Sequence, residues 1–181
     1  MSTEQMAVVA LAALLVFWTL GAYNRLVELR NQIIAAWAQV DEPLQRRAAA
    51  VTPLVSGLRM HFPDEQGALN AVQAALAQVH AAADALRARP ALARRAAALS
   101  TAESALASAL SRLLALVEHR TGLGTDATLA PHVAALSEAT QRLAFARQLF
   151  NDAVASYNDA AHQFPTRVLS RMFGFGPAGT L

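Results

Sequence analysis

The chain has 181 residues, 55% hydrophobic and only 15% charged, against about 25% charged in a typical soluble domain. It contains no cysteine and no lysine, and its net charge of +2 rests on arginine alone. Disulfides, thiolate metal sites, cysteine nucleophiles and a lipidated cysteine are thereby excluded, and arginines scattered among acids do not form a nucleic-acid-binding stripe. Alanine dominates, above all from Ala68 to Ala115. Alanine loses no side-chain entropy in a helix, so the expected fold class is all-α.

The first element is a membrane segment. Met6 to Ala22 carries no charge, and 17 helical residues span ~26 Å of a hydrocarbon core ~30 Å thick. The helix closes the deficit by continuing through Tyr23, Leu26 and Val27 while Arg25 snorkels to the headgroups. Trp18 and Tyr23 sit near one end, where amphipathic rings favour the interface. The competing reading is a cleaved secretory signal. Residues Met1–Gln5 lack a basic side chain, Leu20-Gly21-Ala22 is a poor cleavage site, and the helical pattern continues past residue 22, so an uncleaved anchor is expected. Arg25 and Arg30 on its C-terminal side place residues 23–181 in the cytoplasm, with residues 1–5 outside.

A heptad seam with spacing 4,3,4,3 follows in four segments. Helix one continues from the anchor through Leu26, Arg30, Ile33, Trp37, Val40, Leu44, Arg47, Val51, Leu54 and Leu58. Helix two carries Leu69, Val72, Leu76, Val79, Ala83 and Leu86. Helix three carries Leu92, Ala96, Leu99, Glu103, Leu106, Leu110, Leu113 and Val117. Helix four carries Leu129, Val133, Leu136, Thr140, Leu143, Arg147, Phe150, Val154, Tyr157, Ala161 and Phe164. The breaks fall at Phe62-Pro63-Asp64-Glu65, at Arg89-Pro90 and at Thr121–Asp126. Thr128 is placed to cap helix four, with Pro131 in its first turn. Pro43 and Pro53 fall inside helix one and predict kinks rather than ends, the alternative being a break near Asp41–Pro43. The domains are residues 1–5, an anchor at 6–22, an antiparallel left-handed bundle of about four long helices at 23–164, and an amphipathic tail at 165–181. Helix four then returns to the membrane and brings Phe164 near Tyr23.

Several residues interrupt the apolar pattern. Arg147 lies in the helix-four seam and needs a carboxylate, for which Asp41 is a candidate; otherwise it snorkels from the seam edge. Asn24 and Asn31 on helix one, and Asn151 and Asn158 on helix four, each repeat by seven. Asparagine is a poor helix former, so these side chains either fix register across the helix pair or simply face solvent. The tail groups Val168, Leu169, Met172 and Phe173 away from Arg167 and Arg171. With Phe175 it either lies among the headgroups or docks on the bundle base. The five histidines show no metal-ligand spacing, and no nucleophile elbow or glycine loop is present. Neither catalysis, cofactor, metal nor small-molecule substrate is expected.

The run Tyr23-Asn24-Arg25-Leu26-Val27-Glu28-Leu29-Arg30-Asn31-Gln32-Ile33, followed by Ala36-Trp37, Val40-Asp41 and Leu44-Gln45-Arg46-Arg47, resembles the opening of the LemA family. Pro53-Leu54-Val55, Ala146-Arg147, Asn151, Tyr157-Asn158, Phe164-Pro165 and Phe173-Gly174-Phe175 resemble later elements of the same family. The resemblance spans residues about 6–61 and 136–175. Phe150 replaces a usual tyrosine, Pro43 a helix-compatible residue, and the alanine-rich segment 66–130 lacks the family's tyrosine-proline element. The resemblance implies an N-out anchor with a cytoplasmic helical bundle at the inner membrane or an organelle membrane derived from it. Members include a protein of bacterial magnetosome membranes, and relatives occur beside a membrane zinc metalloprotease. The expected function is a non-catalytic scaffold or adaptor whose partners are the bilayer and other membrane proteins or itself. The alternative is a membrane-shape or signalling component.

Overall fold

The computed structural model describes residues 3–121, 128–164 and 166–181. Its regular elements are all helices, with no β-strand among the described residues, and residues 175–181 are an irregular tail. Helix α1 runs unbroken from Thr3 to His61, about 88 Å at 1.5 Å per residue. A single 3-10 turn at Pro63–Glu65 reverses the chain into α2, Gln66–Ala88. A tight turn leads to α3, Ala93–Thr121. Helix α4 is Ala130–His162 and α5 is Thr166–Met172. The third expected break, at Thr121–Asp126, falls on residues 122–127, which lie outside the described residues.

Both internal prolines are carried without ending α1, so the alternative break near Asp41–Pro43 does not occur. Each proline deprives the carbonyl four residues back of its donor. Those carbonyls belong to Gln39 and Ala49, two exposed residues within reach of water, while Pro43 itself is buried and Pro53 half-buried. The prolines therefore contribute apolar surface to the core while the helix runs on through them. At the start of α4, Leu129 rather than Thr128 holds the capping position, without a side-chain cap, and Pro131 lies in the first turn.

The heptad positions form the core. Of the ten seam residues of α1 all but Arg30 are buried, and every one of the six in α2 is buried. Four expected seam members turn outward instead: Arg30, Leu92, Thr140 and Phe164. Arg30 and Thr140 find water or, for Thr140, the Leu136 carbonyl at 2.7 Å. Leu92 and Phe164 sit at helix ends, where the partner helix no longer covers them.

Helices α1 and α4 pack along their length, and α2 packs chiefly on α3. Trp37 meets Phe150 edge to face at 6.3 Å. Twenty residues on, Gly57 approaches Leu129 so closely that a Cβ there would stand 2.8 Å from Leu129 Cδ2. This antiparallel register carries Leu26 to the level of Ala161, and both are buried. Helix α2 starts at the far end of α1 and has only 23 residues, so it reaches back no further than Asp41, which Arg87 bonds. The bundle thus has two tiers. Four helices surround the distal core, whereas the half nearer the N-terminal apolar stretch is an α1–α4 pair completed by α5 and the tail.

Candidate functional site

The residues singled out as internal polar contacts separate into three places. Among the described residues, a buried ion pair lies in the distal tier and joins Arg47 of α1 to Glu103 of α3, with side chains only 7% and 8% exposed. Both occupy heptad seam positions, so each presents its charge to the other across the core. The expected Arg147–Asp41 pair does not form. Asp41 instead accepts from Arg87 Nε at 3.2 Å and from Gln45 Nε2 at 2.9 Å. Asp84 also bonds Arg87, and the two carboxylates hold the Arg87 guanidinium above its ordinary pKa, the Asp41 hydrogen bond contributing most. Helix α2 brings Arg87 to the level of Asp41, whereas Arg147 on α4 is half-buried in a small recess with Glu103, Leu99 and Leu181.

The four asparagines divide by helix. Asn24 and Asn31 are exposed on α1. Asn151 and Asn158 of α4 hold the tail. The Asn158 side chain accepts from Ala178 N–H at 2.9 Å and donates Nδ2–H to the Ala178 carbonyl at 2.9 Å. Asn151 does the same for Leu181, at 2.8 and 3.0 Å. Between them Tyr157 Oη donates to the Gly176 carbonyl at 3.0 Å. Seven residues of helix advance ~10.5 Å, and three residues of extended chain advance ~10 Å. The heptad spacing of the two amides therefore matches a three-residue step along the tail, and each amide saturates both main-chain groups of one residue.

The tail reaches this position through a helix end. Helix α5 closes with Gly174 at φ 71°, and Phe175 N–H bonds the Ser170 carbonyl at 2.8 Å. Only glycine adopts that left-handed conformation without steric cost. Ser170 is buried and its hydroxyl bonds the Ala161 and Arg167 carbonyls, pinning α5 to the end of α4. Beyond Gly174 the chain runs along α4 and against the start of α3. A Cβ on Gly179 would stand 2.6 Å from Ala93 Cα and 2.9 Å from its carbonyl oxygen. Ala178 is buried, and Phe175 and Leu181 pack partly buried on the core. The tail fills the side of the bundle where α3 and α4 stand apart.

Tyr157 is buried beneath this strand. Burial pushes its phenol above the ordinary value, and the positive charge of Arg30 opposes the rise. Trp37 Nε1 is buried with no hydrogen-bond partner in the structure. Among the described residues no group of three His, Asp or Glu side chains is placed to hold a metal ion.

At the N-terminal end, one stretch of α1 is long and apolar enough to cross a bilayer, and none of it is buried in the bundle. Trp18, Tyr23 and Arg25 are exposed along its C-terminal part. Tyr23 meets Phe173 at 5.4 Å and Phe175 at 5.6 Å, both edge to face. These rings, rather than Phe164 at 83% exposed, join the tail to α1. Arg167 is exposed on α5; the side chain of Arg171 lies outside the described residues. Val168, Met172 and Phe173 are exposed, while Leu169 packs inward. The tail thus divides, with α5 presenting apolar side chains outward and residues 175–181 docking on the bundle.

The tail clamp was missed in the sequence because its acceptors and donors are main-chain atoms. The available signal was the pairing of heptad-spaced asparagines with the following residues of a buried Phe150 and Tyr157, together with a terminal segment rich in glycine. The LemA family model matches residues 36–181, covering the distal core, α4 and the clamped tail. No curated protein sequence matches the chain. With its all-helical bundle and a match over most of its length, the chain belongs to the LemA family.

Proposed function

We propose that the protein is a non-catalytic, membrane-anchored scaffold or adaptor that works through helix faces or self-assembly. The observation that carries this reading is α1 itself. One uninterrupted helix joins an apolar, unburied stretch to a core-forming one, so the bundle is held rigidly at a fixed distance from whatever bilayer takes the stretch. The positive charges of Arg25 and Arg30 put the bundle on the cytoplasmic side of a bacterial inner membrane, or of an organelle membrane derived from it. Apolar side chains left outside the core supply contact surface: Phe145, at 66% exposed, and Leu149 one turn later on α4, with Ile34 on α1. Photo-crosslinkers at Phe145 and on the outer faces of α2 and α3, used in intact membranes and read by mass spectrometry, test the reading. Crosslinks to membrane proteins or to further copies are expected. Crosslinks confined within single chains, or release of the protein by an alkaline wash, would refute it.

A second reading, a membrane-shape component, is favoured by α5. Its Val168 and Met172 are exposed, and Phe173 just beyond its end meets Tyr23 at the end of the apolar stretch, as an interfacial helix requires. Binding that changes with vesicle radius supports it, and indifference to radius removes it.

A further inference from the structure

The clamp is built as a peptide site. The hydrogen bonds of Asn151 and Asn158 to the segment they hold go to its main chain, as does that of Tyr157. Side-chain selection comes from the walls. The position of Gly179 admits no Cβ against Ala93, that of Ala178 is buried, and Phe175 and Leu181 insert apolar groups at the two ends. Pro177 is accepted because no bond in the groove calls for its missing N–H. An occupant must therefore be extended, with apolar residues six apart and small residues at the third and fourth positions between them, where Ala178 and Gly179 stand. One segment known to satisfy that description is residues 174–181 of this chain, and every copy carries it.

We propose that this groove receives the 174–181 segment of a second copy, so that neighbouring copies join by exchanging tails. The exchanged contacts are identical to those made within one chain, and only the chain path between α5 and the tail must change. Gly174, at φ 71°, is the residue at which that path turns. The proposal rests on the scaffold reading for its setting, since anchoring in one bilayer raises the concentration of copies toward the millimolar range at which a tethered segment competes with itself.

Two complementary full-length variants test it. Asn151→Ala/Asn158→Ala has a native tail and no clamp, whereas Gly179→Val has an intact clamp and a tail too bulky for it. In detergent, each alone should remain unassociated, and their mixture should give a one-to-one complex by mass. Persistence of the mixture as separate chains overturns the proposal. A readout independent of variant folding uses the wild-type chain and a fluorescent peptide of residues 174–181. Saturable binding is expected at peptide concentrations near ~1 mM, where it matches the tethered tail. No binding up to several-fold above that range overturns the site, and binding of the peptide without a mixed complex overturns the second copy as its occupant. Either failure leaves crosslinking through the exposed helix faces as an independent test of the scaffold.

Discussion

Removal of the Glu103 carboxylate probes the distal core most directly. Arg47 and Glu103 are 56 residues apart in sequence and both more than nine-tenths buried. Glu103→Ala leaves a guanidinium in an apolar interior with no counter-charge, a change that costs about 3–5 kcal/mol because the desolvation penalty loses its compensation. For a chain of this size about 1 kcal/mol moves the melting temperature by about 2–4 °C, so a fall of about 10 °C is expected. The control is Glu42→Ala, which removes the partner of Arg46 where the side chains are 56% and 51% exposed. That pair lies one turn apart in water and is worth about 0.3–0.5 kcal/mol. Replacing both members of the buried pair, as Arg47→Met/Glu103→Leu, removes the charge and its penalty together. It should restore stability to the wild-type level or raise it by about 1–4 kcal/mol. Guanidinium unfolding in detergent, followed by far-ultraviolet circular dichroism, measures all three. If Glu103→Ala falls within about 1 kcal/mol of Glu42→Ala, the pair is not the desolvated contact that its burial describes.

The remaining predictions follow from the clamp and the aromatic core. Asn151→Ala/Asn158→Ala removes four hydrogen bonds to the tail and should cost about 2–4 kcal/mol, with residues 174–181 becoming sensitive to limited proteolysis; an unchanged digestion pattern contradicts the clamp. The raised pKa of Tyr157 means that the folded state holds the phenolic proton more tightly than the unfolded state. Its stabilising contribution is complete below the ordinary value of about 10 and declines as pH rises from there through the folded value, so unfolding titrations should show a loss above pH 10 that Tyr157→Phe lacks. Trp37→Phe deletes a buried, unpaired N–H that costs about 1–3 kcal/mol, offsetting the lost ring volume, so a net change under about 1.5 kcal/mol is expected. Phe150→Ala, on the other side of the same contact, opens a cavity with no such offset and should cost about 3–5 kcal/mol. Equal losses at the two positions would contradict the unpaired state of the indole.

The helical core was legible because burial in a bundle imposes a spacing that a sequence displays. Leu69, Val72, Leu76, Val79, Ala83 and Leu86 recur at the period of the seam, and all are buried. Proline also obeyed its physical cost rather than its reputation. Helix α1 continues past both Pro43 and Pro53, so the apolar pattern running through both prolines was the stronger signal. Arg47 and Glu103 were readable as seam members of opposite charge on two helices, but nothing in a periodicity states which helices are neighbours. Arg147 and Asp41 looked equally eligible. The length of α2 decides between them, because a helix of 23 residues returning from the far end stops at Asp41 and offers Arg87 there.

The asparagines expose the deeper limit. A seven-residue repeat on two antiparallel helices suggests that they face each other, since side chains are the only partners a sequence pattern shows. Asn151 and Asn158 instead bind amides and carbonyls of Ala178 and Leu181, groups that every residue possesses and that no residue type advertises. An extended segment buries its main chain only where something satisfies it, and α4 supplies two primary amides and a phenol at the required spacing. Gly179 then becomes intelligible as a consequence of that path, because the strand passes too near Ala93 for any side chain. The lower half of the molecule is therefore completed by α5 and an extended segment rather than by a third or fourth long helix. Its attachment consists of a few polar bonds rather than an interlocked apolar seam, which makes it the part of the fold that can leave and be replaced without dissolving the core.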